Sequence, residues 1–214
     1  GRRNNKNHPF RDGFYYTCSM SKKCYRFFGG LLNTQEKWLN KMSEKGYRLV
    51  RTGKLLYEFE KCKPDEVTYC VEFIGEKSKE SSIDYANFLE DMGYKVFFKN
   101  INLNYSVRKV RWRPWAERGG RIAANTTTFN REILIVEKVN DGKPFELHTS
   151  YDDKEKYYRN LRNPWLFLLL MFALFAVTKQ SIIFGIFALV SVIPGSLYQI
   201  QIMKIRKEAK TQEW

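Results

Sequence analysis

Histidine is nearly absent from this 214-residue chain, with His8 and His148 its only two. No G-x-S-x-G elbow, phosphate-cradling P-loop or H-E-x-x-H pair occurs, so the usual marks of a nucleophilic hydrolase, a nucleotide site and a zinc peptidase are missing. Cysteine is scarce too. Cys18, Cys24, Cys62 and Cys70 form no C-x-x-C pair, and their spacings do not match the common zinc knuckles. The expectation is free, mostly buried thiols in a reducing compartment, with no metal and no cofactor. Between Trp165 and Met203 there is no Asp, Glu or Arg. A transport pathway normally carries charge inside the membrane, so that stretch reads as an anchor.

What the chain does have is two apolar runs, Pro164–Val177 and Ser181–Met203, separated only by Thr178, Lys179 and Gln180. The second has the length of a spanning helix, and the first is short unless its flanks join it. So short a link turns the chain back on itself, which predicts a transmembrane helical hairpin with both outer ends on one side. Basic residues crowd those ends: Lys154, Lys156, Arg159 and Arg162 before the first run, Lys204, Arg206, Lys207 and Lys210 after the second. Such an excess marks the cytoplasmic side, and Lys179 at the tip is a single opposing charge. The expected placement is a two-span, multi-pass membrane protein with both termini in the cytoplasm. Trp165, Lys204, Arg206 and Lys207 would stand at the membrane interface.

The organisation expected is an extension over 1–19, an α+β domain over 20–150, a charged connector over 151–163, the hairpin over 164–203 and a tail over 204–214. Residues 1–19 are polar and without period. Met20-Ser21-Lys22-Lys23 resembles a protein start, so what precedes it is either upstream sequence or a disordered basic tail.

From Cys24 the chain is regular. Tyr25–Phe28 predicts a short strand, and Asn33 or Thr34 predicts the cap of a helix whose Trp38, Leu39 and Met42 share a face. Gly46 ends that helix. Strands follow from Tyr47, through Leu55–Phe59 and over Val67–Phe73, where alternation predicts half-burial. From Ser82 a second helix carries Tyr85, Phe88, Leu89 and Met92 at i, i+3, i+4, i+7, and Gly93 leads into a strand over Tyr94–Lys99. The two helices echo one another: aromatic-Leu-x-x-Met, then glycine, then Tyr-basic-aliphatic. Two βαβ units in tandem predict a ferredoxin-like α+β sandwich. Residues 100–131 interrupt the repeat as a long loop or hairpin, and Ile133–Val136 supplies an extra, well-buried strand.

The run Glu36-Lys37-Trp38-Leu39-Asn40-Lys41-Met42 through Lys45-Gly46-Tyr47-Arg48-Leu49, then Tyr57-Glu58-Phe59-Glu60-Lys61, then Tyr69-Cys70-Val71-Glu72-Phe73, resembles the DUF2812 family of bacterial proteins. Lys143-Pro144-Phe145-Glu146-Leu147 is similar to its closing segment. The resemblance covers about Lys23 to Tyr157 and implies a bacterial cell membrane, a C-terminal pair of spans and, by gene context, a PadR-like regulator as protein partner. It implies no chemistry, and the Arg/Trp-rich insertion departs from the shorter members.

That insertion holds the candidate binding residues: Arg111, Trp112, Arg113, Trp115, Arg118 and Arg121. Guanidinium groups grip phosphate or carboxylate, and indoles stack on flat partners. With a formal net charge of +14, anionic lipid headgroups and an acidic protein partner are the expected targets. Nucleic acid ranks below them in a membrane-tied domain with no binding motif. The other reading of these residues is structural, with the tryptophans covering a sheet edge and the arginines solvated. The function expected is a membrane-anchored cytoplasmic binding or regulatory domain without catalytic residues. Its alternative is a small membrane enzyme or transporter accessory subunit, with Glu58, Glu60 and Glu72 gathered on one sheet face.

Overall fold

The computed structural model describes residues 21–101, 103, 105–107, 110–112, 122–123, 132–145, 147 and 151–212. The expected extension and its Met20 start lie outside them, as do His8 and His148. The elements in chain order are β1 (Lys22–Tyr25), α1 (Leu32–Glu44), β2 (Tyr47–Thr52), β3 (Leu56–Lys61), β4 (Val67–Phe73), α2 (Lys79–Asp91) and β5 (Lys95–Lys99). Then come the short β6 (Tyr105–Val107), β7 (Val110–Trp112) and β8 (Ile122–Ala123), followed by β9 (Ile133–Val139), α3 (Tyr151–Lys179) and α4 (Ile182–Gln212).

The tandem repeat is visible as two βαββ units. In the first, β3 lies antiparallel between β1 and β2; in the second, β9 lies antiparallel between β4 and β5. The α+β class and the two apolar C-terminal helices are as the sequence indicates. The layout differs from one ferredoxin-like sheet, because each unit closes its own three-stranded ladder. The two sheets touch through β2 and β5, where Thr52 Oγ1 donates to Phe98 O over 3.2 Å. The reason lies in β9, whose Ile133, Leu134, Ile135 and Val136 are apolar on both faces and all buried. Such a strand belongs at the centre of a covered sheet.

Both faces of that second sheet are covered. Tyr69, Val71, Phe73, Phe97, Ile133 and Ile135 join the main core with Leu39, Met42, Tyr57 and Phe59. On the reverse, Leu134 and Val136 pack with Ile74 and Leu89 of the α2 layer. Double coverage explains why β4 is buried at every position but Thr68, where alternation alone predicts one wet face. Helix α2 also begins earlier than expected, capped by Ser78, whose side chain accepts from Ser81 N at 3.1 Å. Its buried stripe is Ser82, Ala86 and Leu89, while Phe88 and Met92 are exposed. Two small residues allow close approach to the sheet, which rotates the larger ones outward.

Helix α1 closes the free edge of β4 with side chains at i, i+4 and i+7. Glu36 Oε2 accepts from Val71 N at 2.9 Å, and Asn40 pairs with both groups of Tyr69, accepting at 2.7 Å and donating at 3.0 Å. Ser43 Oγ donates to Val67 O. An edge strand left open invites pairing with another chain; here a helix stands in for the missing strand. Across the two sheets, Glu137, 2% exposed, accepts from Arg48 Nε at 2.7 Å and from the Tyr69 hydroxyl at 2.9 Å.

Candidate functional site

The connector expected between domain and membrane is part of the fold. Helix α3 runs unbroken from Tyr151 through Pro164 to Lys179, and its first turns bury Tyr157, Tyr158, Asn160 and Leu161. Helix α4 buries Tyr198, Ile202 and Ile205 in the same core. Three tyrosines of the hairpin clasp the loop between β1 and α1. The Tyr157 hydroxyl donates to Gly30 O at 2.8 Å, and the Tyr198 hydroxyl donates to Gly29 O at 2.8 Å. Tyr158 Oη accepts from Leu32 N at 3.0 Å.

That last bond corrects the expected cap. Helix α1 starts at Leu32, its N-cap Leu31 makes no side-chain hydrogen bond, and a tyrosine from another helix satisfies a first-turn amide instead. Gly30 is required here. At φ +77° it sits where an L side chain is strained, and an added Cβ would stand 2.7 Å from Tyr157 Oη.

Beside the clasp lies a recess. Its walls come from Arg26–Phe28 and Gly30 in the loop, Leu32 and Gln35 of α1, Tyr57 of β3, Lys99–Ile101 at the end of β5, and Ile133. The deep part leaves about 10 Å³ for the centre of a water-sized group, and recess and mouth together amount to about 260 Å³. Gln35 is 4% and Tyr57 0% exposed, yet Gln35 Nε2 and Tyr57 Oη find no hydrogen-bond partner among the described residues. Unpaired buried donors cost stability unless something fills their valence.

Lys99 Nζ, also buried, donates to Gly53 O at 2.6 Å and Lys54 O at 2.9 Å and sits 4.4 Å from the Tyr57 ring centroid. Burial lowers its pKa to about 8. The same burial pushes the Tyr57 phenol well above its ordinary value, so it stays a donor. Amide, phenol and ammonium all donate, and Arg26 stands exposed at the mouth. All three donors belong to residues that line the recess.

Of the residues singled out by sequence, Arg111 and Trp112 lie in β7. There Arg111 is opposite Ser106 and Ala123, and Trp112 is opposite Tyr105 and Ile122. Arg113, Trp115, Arg118 and Arg121 lie outside the described residues. Trp165 is half-buried beside Gly195, where an added Cβ would stand 3.8 Å from its own. Arg206 Nη2 donates to Glu155 Oε1 at 2.7 Å, while Lys204 and Lys207 are exposed. The three carboxylates do not share a face: Glu58 and Glu60 lie on β3, and Glu72 accepts from the Tyr85 hydroxyl of α2 at 2.7 Å. Among the described residues no group of three or more His, Cys, Asp or Glu is placed to hold a metal ion. Cys24, Cys62 and Cys70 are free, and burial pushes the Cys70 thiol up to about 12.

Gln35 and Lys99 escaped the sequence reading, although each left a signal. Gln35 falls in phase with Leu32, Leu39 and Met42 on α1, and Lys99 falls in phase with Phe97 on β5. A polar residue in an apolar register is the mark of a buried donor.

The family described as Protein of unknown function (DUF2812) matches the chain over residues 32–170, more than half its length. No curated protein and no solved structure matches it.

Proposed function

This chain belongs to the DUF2812 family, and from that premise we propose that it is a membrane-anchored binding and regulatory protein of the bacterial cell membrane. In this reading the folded domain and both termini lie in the cytoplasm, held there by the basic flanks of the hairpin. The domain takes an oxyanion or carbonyl group into the Gln35–Tyr57–Lys99 recess and passes the occupied state to the hairpin.

The observation that carries the reading is that recess and clasp share Gly30 and Leu32. A ligand oxygen bonded to Gln35 sits one turn from the α1 amide that Tyr158 holds. The Arg/Trp-rich insertion, Arg111 to Arg121, supplies a second contact in the proposal, to anionic headgroups or an acidic partner. In the proposal the ferredoxin-like plan expected for the domain is kept as a duplication of two βαββ halves, with one clasp and one recess at their junction.

Calorimetric titration of the full chain in nanodiscs with inorganic phosphate and with acetate tests the recess. Binding that weakens about tenfold or more in Lys99→Met, as loss of a charged hydrogen bond implies, supports it. Equal binding by wild type and Lys99→Met refutes it. A reporter fused after Trp214 that is active only outside the cytoplasm overturns the orientation.

A further inference from the structure

The hairpin is short for a bilayer once the part that belongs to the domain is set aside. Tyr198 is bonded to Gly29 O and is 7% exposed, so α4 stands clear of the folded domain only over Ile182–Leu197. That stretch rises about 24 Å, and Trp165–Lys179 of α3 about 22 Å, against a hydrocarbon layer of about 30 Å. Phe167, Leu170 and Leu174 on α3 and Ile182, Leu189 and Ile193 on α4 face outward, and on α4 the exposed apolar face runs on past Tyr198 to Ile200 and Met203.

With Lys179 and the hairpin tip in the far headgroups, the level of Trp165 and Tyr198 falls at or below the near hydrocarbon border. Whatever stands beside Tyr198 then meets lipid. Phe27 does: its Cε1 and Tyr198 Oη both lie within 4.0 Å of the point where a Cβ on Gly29 would stand. Phe27 in the loop is 59% and Tyr25 at the end of β1 74% exposed, an odd state for two neighbouring aromatics. Leu55, also exposed, joins them, since Arg26 N donates to Leu55 O at 2.9 Å.

We infer that the β1–α1 loop, with the end of β1 and the β2–β3 turn beside it, is a membrane-inserting lip, in which Tyr25, Phe27 and Leu55 enter the acyl–headgroup border and Arg26 meets the phosphate of an anionic lipid. The lip makes good the missing length of the hairpin. Aromatic rings favour that depth, and arginine there gains from the negative surface. The inference rests on the membrane reading of the hairpin and adds to it a surface of the folded domain.

The test places the photo-crosslinker p-benzoylphenylalanine, one site at a time, at Phe27, Leu174 and Val139 of the full chain in vesicles containing phosphatidylglycerol. Lipid adducts are read by mass spectrometry. Val139, 71% exposed, ends β9 about 20 Å along the strand from Ile133, a site away from the lip. Several-fold more lipid adduct at 27 than at 139, with adduct at 174, supports the lip. Adduct at 174 but no excess at 27, or adduct at 27 to protein only, overturns the lip and leaves the hairpin reading standing. Absence of adduct at 174 overturns both.

Discussion

Gly30→Ala is the sharpest perturbation of the clasp, because its cost is set by contacts that can be named. The residue sits at φ +77°, and the new methyl would meet Tyr157 Oη at 2.7 Å, Leu103 Cδ1 at 3.0 Å and Leu161 Cδ1 at 3.1 Å. Left-handed backbone costs an L residue about 1–2 kcal/mol, and overpacking adds about 1–3 kcal/mol. Displacing the Tyr157 hydroxyl from Gly30 O forfeits about 1 kcal/mol more. The total is about 3–6 kcal/mol. Gly93→Ala is the matched control, since Gly93 has φ +87° but nothing within 4 Å of an added Cβ, so only the backbone part, about 1–2 kcal/mol, applies. Guanidinium unfolding of the full chain in detergent micelles, followed by near-ultraviolet circular dichroism, gives the two midpoints. Hydrogen exchange then locates the damage, which should appear as faster exchange at the first turn of α1 and the tyrosine-bearing turns of α3. If Gly30→Ala costs no more than Gly93→Ala, the hairpin does not clasp the domain and the coupling argument fails.

Asn40→Ala should remove the surrogate pairing along β4, costing about 1–3 kcal/mol and promoting oligomers visible by size-exclusion chromatography. Lys99 has its pKa lowered by burial from 10.5 to about 8, so between those values the unfolded chain holds a proton that the folded chain has released. Stability therefore rises with pH across that window, by about 3 kcal/mol at most; denaturation curves from pH 7 to 10 should show the rise in wild type and a flat profile in Lys99→Met. Arg48→Met leaves Glu137 buried with only the Tyr69 hydroxyl and should cost about 3 kcal/mol, much of it recovered by adding Glu137→Met. A double mutant whose cost equals the sum of the two single costs would show that the pair is not coupled.

How much of this was legible depended on whether one element or two decided the outcome. The repeat was readable because each half carries its own signals: Gly46 and Gly93 both stand at positive φ just past a helix, and the strand periods on either side are local. The sheet order was not, because β9 arrives after a long insertion and its central place follows from burial on both faces. The polar residues of the Glu36–Asn40 motif could be seen but not interpreted. They mark neither catalysis nor solvent, since they hydrogen-bond the edge of a strand that starts well downstream. The recess is not legible for a related reason: Gln35, Tyr57 and Lys99 come from α1, β3 and β5, and no spacing in the chain joins them. Tyr157 and Tyr158 sit in a stretch so charged that a solvated connector was the natural expectation, and only packing against Phe73, whose ring lies 4.4 Å from that of Tyr157, shows otherwise.

A passive tether would need only greasy helices and a loose link, and neither α3 nor α4 is built that way. Tyr158 holds the first turn of α1, and α1 holds the edge of β4 through Glu36, Asn40 and Ser43. Tyr158, the first turn of α1 and the edge of β4 thus form one run of hydrogen-bonded contacts from α3 to the second sheet. A coupling of 1–3 kcal/mol is the usual size for communication between sites, and a few hydrogen bonds at about 1 kcal/mol each supply it. Under the proposed function, the clasp thus has enough free energy for a ligand in the recess and the tilt of the hairpin to report on one another, and by linkage the effect would run in both directions.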